Sequence, residues 1–298
     1  MPPFSIQGTH VAVEDLLALQ AMSADLRKLR PQISRARQLG EQRSRQRGQG
    51  LEFAEMKPYH ASDDVRRIDW RLTARKQQPY VRVMEEDRHQ EHVIWLPLHS
   101  RLYFGTRRCF KSVLLCHWAA FLIWRFAHLH HPVRLIIDVG DERKHRTILN
   151  QRHAAEACQI IAEAHQQLAN GFRNWPEPAS QPVPTWASNP TLWVLSDFLG
   201  DEHERCQTIL QHRSVASLIY LQCSDPFDHR LPKHLRLPVR SGNQMNALST
   251  DQLDAARLSI DSLQKTLREQ CRAHHGSLIH HESASFNWQE VQQWPLYH

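Results

Sequence analysis

The chain has 298 residues, 41% hydrophobic and 23% charged, with 37 Lys and Arg against 31 Asp and Glu for a formal net charge of +6. That length sustains a core without covalent staples, and the composition excludes a disordered chain, a collagen-like repeat and a disulfide mini-scaffold. The basic excess permits an anionic partner without demanding one.

Six cysteines (Cys109, Cys116, Cys158, Cys206, Cys223 and Cys271) lie far apart with no C-x-x-C pair. Reduced thiols in a cytosolic protein fit this spacing better than a structural zinc site. The 21 histidines imply a charge that rises steeply below about pH 6.5 wherever their side chains are exposed. The most apolar stretch, Val113–Leu129, is interrupted by His117, Arg125 and His128. Its longest unbroken run, Trp118–Trp124, falls far short of the about 20 residues that cross a bilayer. Met1–His10 has no basic start, and Glu14 and Asp15 stand where the apolar core of a signal peptide would begin. The expectation is a cytoplasmic protein with no membrane insertion.

In chain order, Leu16, Leu19, Met22, Leu26 and Leu29 recur at helical spacing, and Pro31 ends the stripe. A basic stretch follows, with Arg35, Arg37, Arg43, Arg45 and Arg47 against the single Glu41, and reads as a solvated connector or as an arm for nucleic acid or an acidic protein. From Leu51 the period becomes two, and Leu51–Phe53 and Tyr80–Val83 alternate as half-buried strands do. Between them, Ser62–Arg71 is too charged for a core and too patterned for a plain loop.

The remainder alternates strand and helix. Val93–Leu98 reads as a buried strand, with Pro97 removing a ladder donor near its end. Lys111–His130 reads as a long buried helix, Val133–Val139 as a strand, and Arg146–Leu149 as a short third strand. An Ala-rich helix over His153–Asn170 closes at Gly171 and leads into a Pro-rich connection. Thr191–Leu195 is a strand running into Ser196-Asp197-Phe198, Glu202–His212 a helix, and Ser217–Cys223 another strand. The last helix takes Ser249 as its cap and carries Leu253, Ile260, Leu263, Leu267 and Cys271 on one face. Strands separated by helices of this length predict an α/β fold with a doubly wound, mostly parallel sheet, preceded by an N-terminal helix and a small β-rich segment. The expected organisation is residues 1–47 as helix and basic connector, 48–90 as β-rich segment, and 91–298 as α/β domain with the Pro-rich connection at 173–190.

Open α/β sheets bind ligands beyond the carboxyl ends of their strands. Those ends offer His99-Ser100-Arg101, Asp138 and Ser196-Asp197. No G-x-G-x-x-G, no G-x-x-x-x-G-K-[ST] and no G-x-S-x-G is present, which disfavours a dinucleotide enzyme, a P-loop ATPase and an α/β hydrolase. The pairs His130-His131, His274-His275 and His280-His281 read as surface histidines, because adjacent residues on one element point in different directions.

Gly48-Gln49-Gly50-Leu51-Glu52-Phe53, then the run from Tyr59 to Trp70, then Thr73-Ala74-Arg75 closely resemble a bacterial family, domain-of-unknown-function family number 58, which is related to von Willebrand factor A domains. The R-x-I-D-W core at Arg66–Trp70 is the specific part, and the likeness continues through Phe104-Gly105-Thr106, Leu195–Phe198 and Asp225-Pro226. The resemblance implies a von Willebrand A-like domain from about residue 90 onward. Such domains often carry a metal-ion-dependent adhesion site, D-x-S-x-S after the first strand with a later Thr and Asp, suited to Mg²⁺. Counted back from Phe104, the acid and both serines fall on Pro97, His99 and Arg101, and only Asp197 remains as a late acidic match. A guanidinium in a cation site is an electrostatic conflict, so the metal site is expected to be degenerate and metal-free. His99 and Arg101 then either meet an anionic partner group or pair inside the chain with Asp197, and the internal pairing is the favoured expectation.

Asp63, Asp64, Arg66, Arg67, Asp69, Trp70 and Arg75 read as an internal ion-pair network or as a recognition surface with Trp70 as anchor. The candidate partner-binding residues are Asp64, Arg66, Arg67, Asp69, Trp70, Arg75, His99 and Arg101. No catalytic residue and no cofactor are expected. By resemblance, the function is that of a non-enzymatic adaptor acting with a MoxR-type AAA+ ATPase and other von Willebrand factor A proteins in assembly or maturation of complexes. Nucleic-acid binding through the basic arm is the second reading, and a metal-dependent hydrolase the third.

Overall fold

The amphipathic stripe near the start of the chain forms α1 (Val13–Asp25), with Leu16 and Leu19 fully buried. The structure, a computed structural model, describes residues 6–25, 52–60, 65–76, 78–85, 91–171, 186, 189–229, 238–241, 244–247 and 250–296. Leu26, Leu29, the Arg35–Arg47 connector, Asp63, Asp64, most of the Pro-rich connection and Ser249 lie outside the described residues. The chain divides into two units, Met1–Leu29 with Gln90–His298, and Arg30–His89.

The smaller unit is a two-stranded antiparallel ribbon, β1 (Glu52–Pro58) with β2 (Tyr80–Glu85), carrying a register irregularity between Phe53 and Glu55. The charged segment between the strands is a 3₁₀ turn (Val65–Arg67), a bridge from Ile68 to Val81, and a short helix α2 (Trp70–Lys76). Asp69 starts that helix. Its Oδ1 accepts from the amides of Arg71 and Leu72, each at 3.0 Å, and so satisfies donors that a helix start leaves open. Thr73 Oγ1 accepts from the Tyr80 amide at 3.1 Å and ties the helix to the returning strand.

In the larger unit β3 (His92–Leu98) is buried along its whole length, as a central strand covered on both faces must be. It leads to α3 (Lys111–His128), buried from Lys111 to Ala127. Then come β4 (Val133–Val139), β5 (Glu142–Ile148), α4 (Gln151–Gly171), β6 (Thr191–Ser196), α5 (Glu202–His212), β7 (Ser217–Ser224) and a single turn, α6 (Pro226–His229). A small hairpin, β8 (Pro238–Ser241) with β9 (Gln244–Ala247), precedes α7 (Thr250–Ala273) and β10 (Ser277–Glu282).

The sheet order is β10-β7-β6-β3-β4-β5, parallel except for β5, which runs antiparallel to β4. The fold is therefore α/β, with a mixed, mostly parallel six-stranded sheet flanked by helices. Pairing of β3 with β6 stops at Trp95 and Val194, whereas pairing with β4 continues to Leu98, so Pro97 sits where only one neighbour is still in ladder. Helices α1, α3 and α4 share one core with Ile94, Leu96, Leu135 and Leu221. The opposite face packs Trp95, Val194 and Tyr220 against Cys206 and Ile209 of α5 and Leu267 and Cys271 of α7.

Two elements depart from expectation. The short third strand is seven residues long and antiparallel, and its charged sequence suits an edge that must resist further pairing. The sixth strand, β10, was not predicted, because Ser277–Glu282 reads as half polar. Its entry needs Gly276, where an added Cβ would stand 1.7 Å from the Leu218 carbonyl oxygen. Beyond β10 the chain returns over α3, and Phe286, Val291, Trp294 and Leu296 join the core beside Trp118 and Phe121. All six cysteines are buried and free. Among the described residues no helix is long and apolar enough to cross a membrane.

Candidate functional site

The strand order reverses between β3 and β6, so the loops at their carboxyl ends form the crevice where open sheets place ligands. The loop after β3 carries His99, the 3₁₀ turn Ser100–Leu102 and Phe104-Gly105-Thr106 before α3 begins at Lys111. The loop after β6 carries Asp197–Asp201 before α5. The loop after β7 carries Asp225 and the turn holding Asp228.

At the centre stands the Lys111 ammonium, with a side chain only 3% exposed. Its Nζ donates to Asp197 Oδ2 at 2.7 Å and to Asp228 Oδ2 at 3.4 Å. Burial works against the charge on Lys111, but the two carboxylates outweigh it and raise its pKa above the ordinary lysine value. Asp197 uses its other oxygen to accept from the Leu199 amide at 3.1 Å. That bond closes a tight turn in which Phe198 takes a left-handed φ of 59°, a costly geometry for a bulky residue, while its ring is buried 4.6 Å from Tyr220.

His99 and Arg101 do pair inside the chain, but with Glu202 rather than with Asp197. His99 Nε2 lies 2.6 Å from Glu202 Oε1, an ion-pair distance with the ring off the line of a regular hydrogen bond. Arg101 Nη2 donates to the same oxygen at 3.2 Å, and the Gly200 amide donates to Oε2 at 3.1 Å. Glu202 is fully buried. Burial resists its ionisation, yet the His99 contact, with Arg101 adding to it, holds its pKa down to about 2. The physical reason for the correction is reach: Asp197 is already committed to the lysine at the head of α3, and the first turn of α5 brings Glu202 under the β3 loop. An added Cβ at Gly200 would meet Arg101 Nη2 at 1.8 Å, so a larger residue there would push the guanidinium from its place beside Glu202.

Asp225 ties three loops together. It accepts from the Thr106 amide at 2.9 Å, the Thr106 hydroxyl at 2.5 Å, the Phe227 amide at 2.9 Å and the Ser283 hydroxyl at 3.2 Å. Burial opposes its charge, but these donors, Thr106 foremost, lower its pKa. Asp138, at the end of β4, receives Arg143 through Nε at 2.6 Å and Nη2 at 3.0 Å, with Trp95 Nε1 at 2.9 Å and Arg205 Nη2 at 3.4 Å. Each of these five acids thus has its own donors within the chain. A divalent ion does not fit this arrangement: Pro97 offers no carboxylate, His99 and Arg101 bring nitrogen donors, and an ammonium already lies between Asp197 and Asp228. Among the described residues no group of three or more His, Cys, Asp or Glu is arranged to hold a metal ion.

Of the other predicted residues, Arg66, Asp69, Trp70 and Arg75 belong to the smaller unit. Trp70 is 67% exposed on α2, with Arg71, Arg75 and Lys76 exposed beside it. Asp69 serves as the helix cap described above, and the side chain of Arg67 lies outside the described residues along with Asp64. Lys111, Glu202 and Asp228 were missed as site residues. Lys111 begins a long apolar run, where a charged residue demands a partner, and that was the available signal.

The model of a protein family described as "Protein of unknown function DUF58" matches residues 55–270, more than half of the chain. Two proteins similar in sequence are "Uncharacterized protein Mb1516" of Mycobacterium bovis and "Uncharacterized protein Rv1480" of Mycobacterium tuberculosis. Each is 42% identical over 73 residues, so the match covers 24% of this chain and only 23% of the relative's length. A solved structure, "Crystal structure of conserved hypothetical protein BatB from Bacteroides thetaiotaomicron", shares 11% identity at a TM-score of 0.35, covering 68% of this chain and 94% of that one. That likeness is too loose to define the fold. The family match does define membership: the chain belongs to the DUF58 family.

Proposed function

We propose, with DUF58 membership as the premise, that this chain is a non-enzymatic interaction protein that presents the carboxyl-edge loops of a von Willebrand A-like domain to a protein partner. The observation that carries the reading is the internal closure of that edge. Where an open sheet would hold a substrate, cofactor or metal, Asp138, Asp197, Glu202, Asp225 and Asp228 are each bonded to donors of the chain itself. Acids spent on bracing loops leave a stiff surface suited to recognition. The six-stranded order with one antiparallel strand at its edge supports the von Willebrand A-like assignment, and the place of Lys111 supports a degenerate, metal-free adhesion site.

By family resemblance the partner is a MoxR-type AAA+ ATPase, with other von Willebrand A proteins, in assembly or maturation of complexes in the cytoplasm. The test is affinity capture of ATPase and chain from lysate in the presence of ATP, with and without nuclease, followed by reconstitution from purified components. Nuclease-resistant association with the ATPase is the expected result. Failure of the purified pair to associate, with or without nucleotide, overturns the partnership. Retention that vanishes with nuclease would transfer the function to nucleic-acid binding through the basic arm, Arg35–Arg47, with Arg66, Arg67 and Arg75.

A further inference from the structure

Three loops that are remote in sequence converge on the ammonium of Lys111: its own at the head of α3, that of Asp197 after β6 and that of Asp228 after β7. Two features oppose a cation at this spot. The position is buried, and it is the first residue of a helix whose amino end carries positive partial charge. A lysine persists there because two carboxylates converge on it, at 2.7 and 3.4 Å. The carboxylates in turn are fixed by backbone: Asp197 by the Leu199 amide and Asp228 by the Asp225 amide, which donates at 2.8 Å. The two acids are therefore held in place by groups other than the lysine.

We infer that Lys111 is a tethered cation doing the cross-linking work of a divalent metal ion, so that its removal turns Asp197 and Asp228 into a site for Mg²⁺ or Mn²⁺. The charge arithmetic favours this. Without Lys111 the buried Asp197 and the partly buried Asp228 carry two negative charges with no cation between them, the number that one divalent ion neutralises. The chemistry fits as well, because Mg²⁺ is held by one or two carboxylates while keeping several of its waters, and loss of the lysine stem vacates space for them. A covalently attached ammonium cannot be chelated or exchanged, so the wild-type edge is set independently of divalent cations.

The test is a thermal melt of the full chain in chelator and in millimolar Mg²⁺ or Mn²⁺ at matched ionic strength, for wild type, Lys111→Ala and Lys111→Ala/Asp197→Asn. The wild-type Tm stays put. Lys111→Ala melts lower in chelator and regains several degrees, saturably, on adding the divalent ion, while the double variant gains nothing from it. The inference is overturned if Lys111→Ala ignores the ions, if wild type gains as much, or if the double variant responds equally. Should Lys111→Ala fail to fold in chelator, Lys111→Ala/Asp228→Asn leaves a single charge and a vacant space, and Lys111→Met/Asp228→Asn leaves the charge with the space filled. Mn²⁺ must stabilise the first more than the second, and equal responses would refute the site.

Discussion

At the carboxyl edge of the six-stranded sheet Lys111 is buried as a cation between two carboxylates, whereas at the amino edge His92 is buried without charge between Trp193 and His131. Trp193 Nε1 donates to His92 Nδ1 at 3.3 Å, which makes His92 the Nε2–H tautomer, and that nitrogen then donates to His131 Nδ1 at 3.1 Å. The chain of donors has no place for another proton. Stacking of His92 on Phe126 at 3.6 Å completes an apolar enclosure, and burial, aided by His131, lowers the His92 pKa to about 3. Lys111 is thus accommodated by opposite charge and His92 by withheld charge, and the two answer pH and mutation differently.

The largest expected effect comes from breaking one charged partner. Asp197→Ala leaves Lys111 in a buried site with the longer contact alone, and should cost about 3–5 kcal/mol in urea unfolding. A loss below about 1 kcal/mol, the level of a surface pair, would show that the carboxyl edge is not built on this contact.

The buried neutral histidines should give way before the carboxylates in acid. A histidine whose pKa falls on folding supports the fold above its unfolded value of about 6.5 and loses that support as pH drops toward the folded value. His165, fully buried with its Nε2 3.0 Å from Ser112 Oγ, behaves alike, since burial lowers it to about 4. Stability should therefore fall from about pH 6.5 downward, by at most about 1.4 kcal/mol per pH unit for each such histidine. His92→Asn keeps an acceptor for Trp193 and removes one titration, so its stability–pH curve should be flatter over that range. An unchanged slope would contradict the assignment.

Glu202 answers in a lower window. Its carboxylate supports the fold above the ordinary glutamate range and loses that support as pH falls from about 4.5 toward about 2. Glu202→Gln should flatten that segment of the curve while leaving the one above pH 5 intact, with a cost near 1–3 kcal/mol at neutral pH, because the amide carries no charge to offset Arg101 and has one accepting oxygen where the carboxylate serves both Arg101 and the Gly200 amide. The smallest effect is local to the other unit. Asp69→Ala removes the cap of α2, worth about 1 kcal/mol, and should speed amide exchange at Arg71 and Leu72 without moving the transition of the larger unit.

Strand and helix order were legible because burial on both faces writes itself as unbroken apolar runs, as at Val93–Leu98 and Thr191–Leu195. The edges were harder to read. Strand β5 is charged because it borders solvent, and β10 includes His280 and His281, of which His281 is buried against Trp294 and Glu290 rather than on the surface. The site residues divided along the same line. His99 and Arg101 stand out in the sequence from their place after a strand, but the internal partner the sequence suggests is Asp197, whereas the structure pairs them with Glu202. Their true partner, Glu202, was hidden because it opens a helix with an ordinary acidic first turn. Pairing across 86 residues, as between Lys111 and Asp197, leaves no periodic trace in a single sequence.

The account rests on Lys111 and Asp197 acting as one unit, and a double-mutant cycle measures that directly. Urea unfolding of wild type, Lys111→Met, Asp197→Asn and the double variant yields their coupling free energy. The account predicts about 2 kcal/mol or more, with the double variant no less stable than either single one, because each single change strands a buried group that the other relieves. Additivity within about 0.5 kcal/mol would contradict it, and would mean that the ammonium at the carboxyl edge is a bystander.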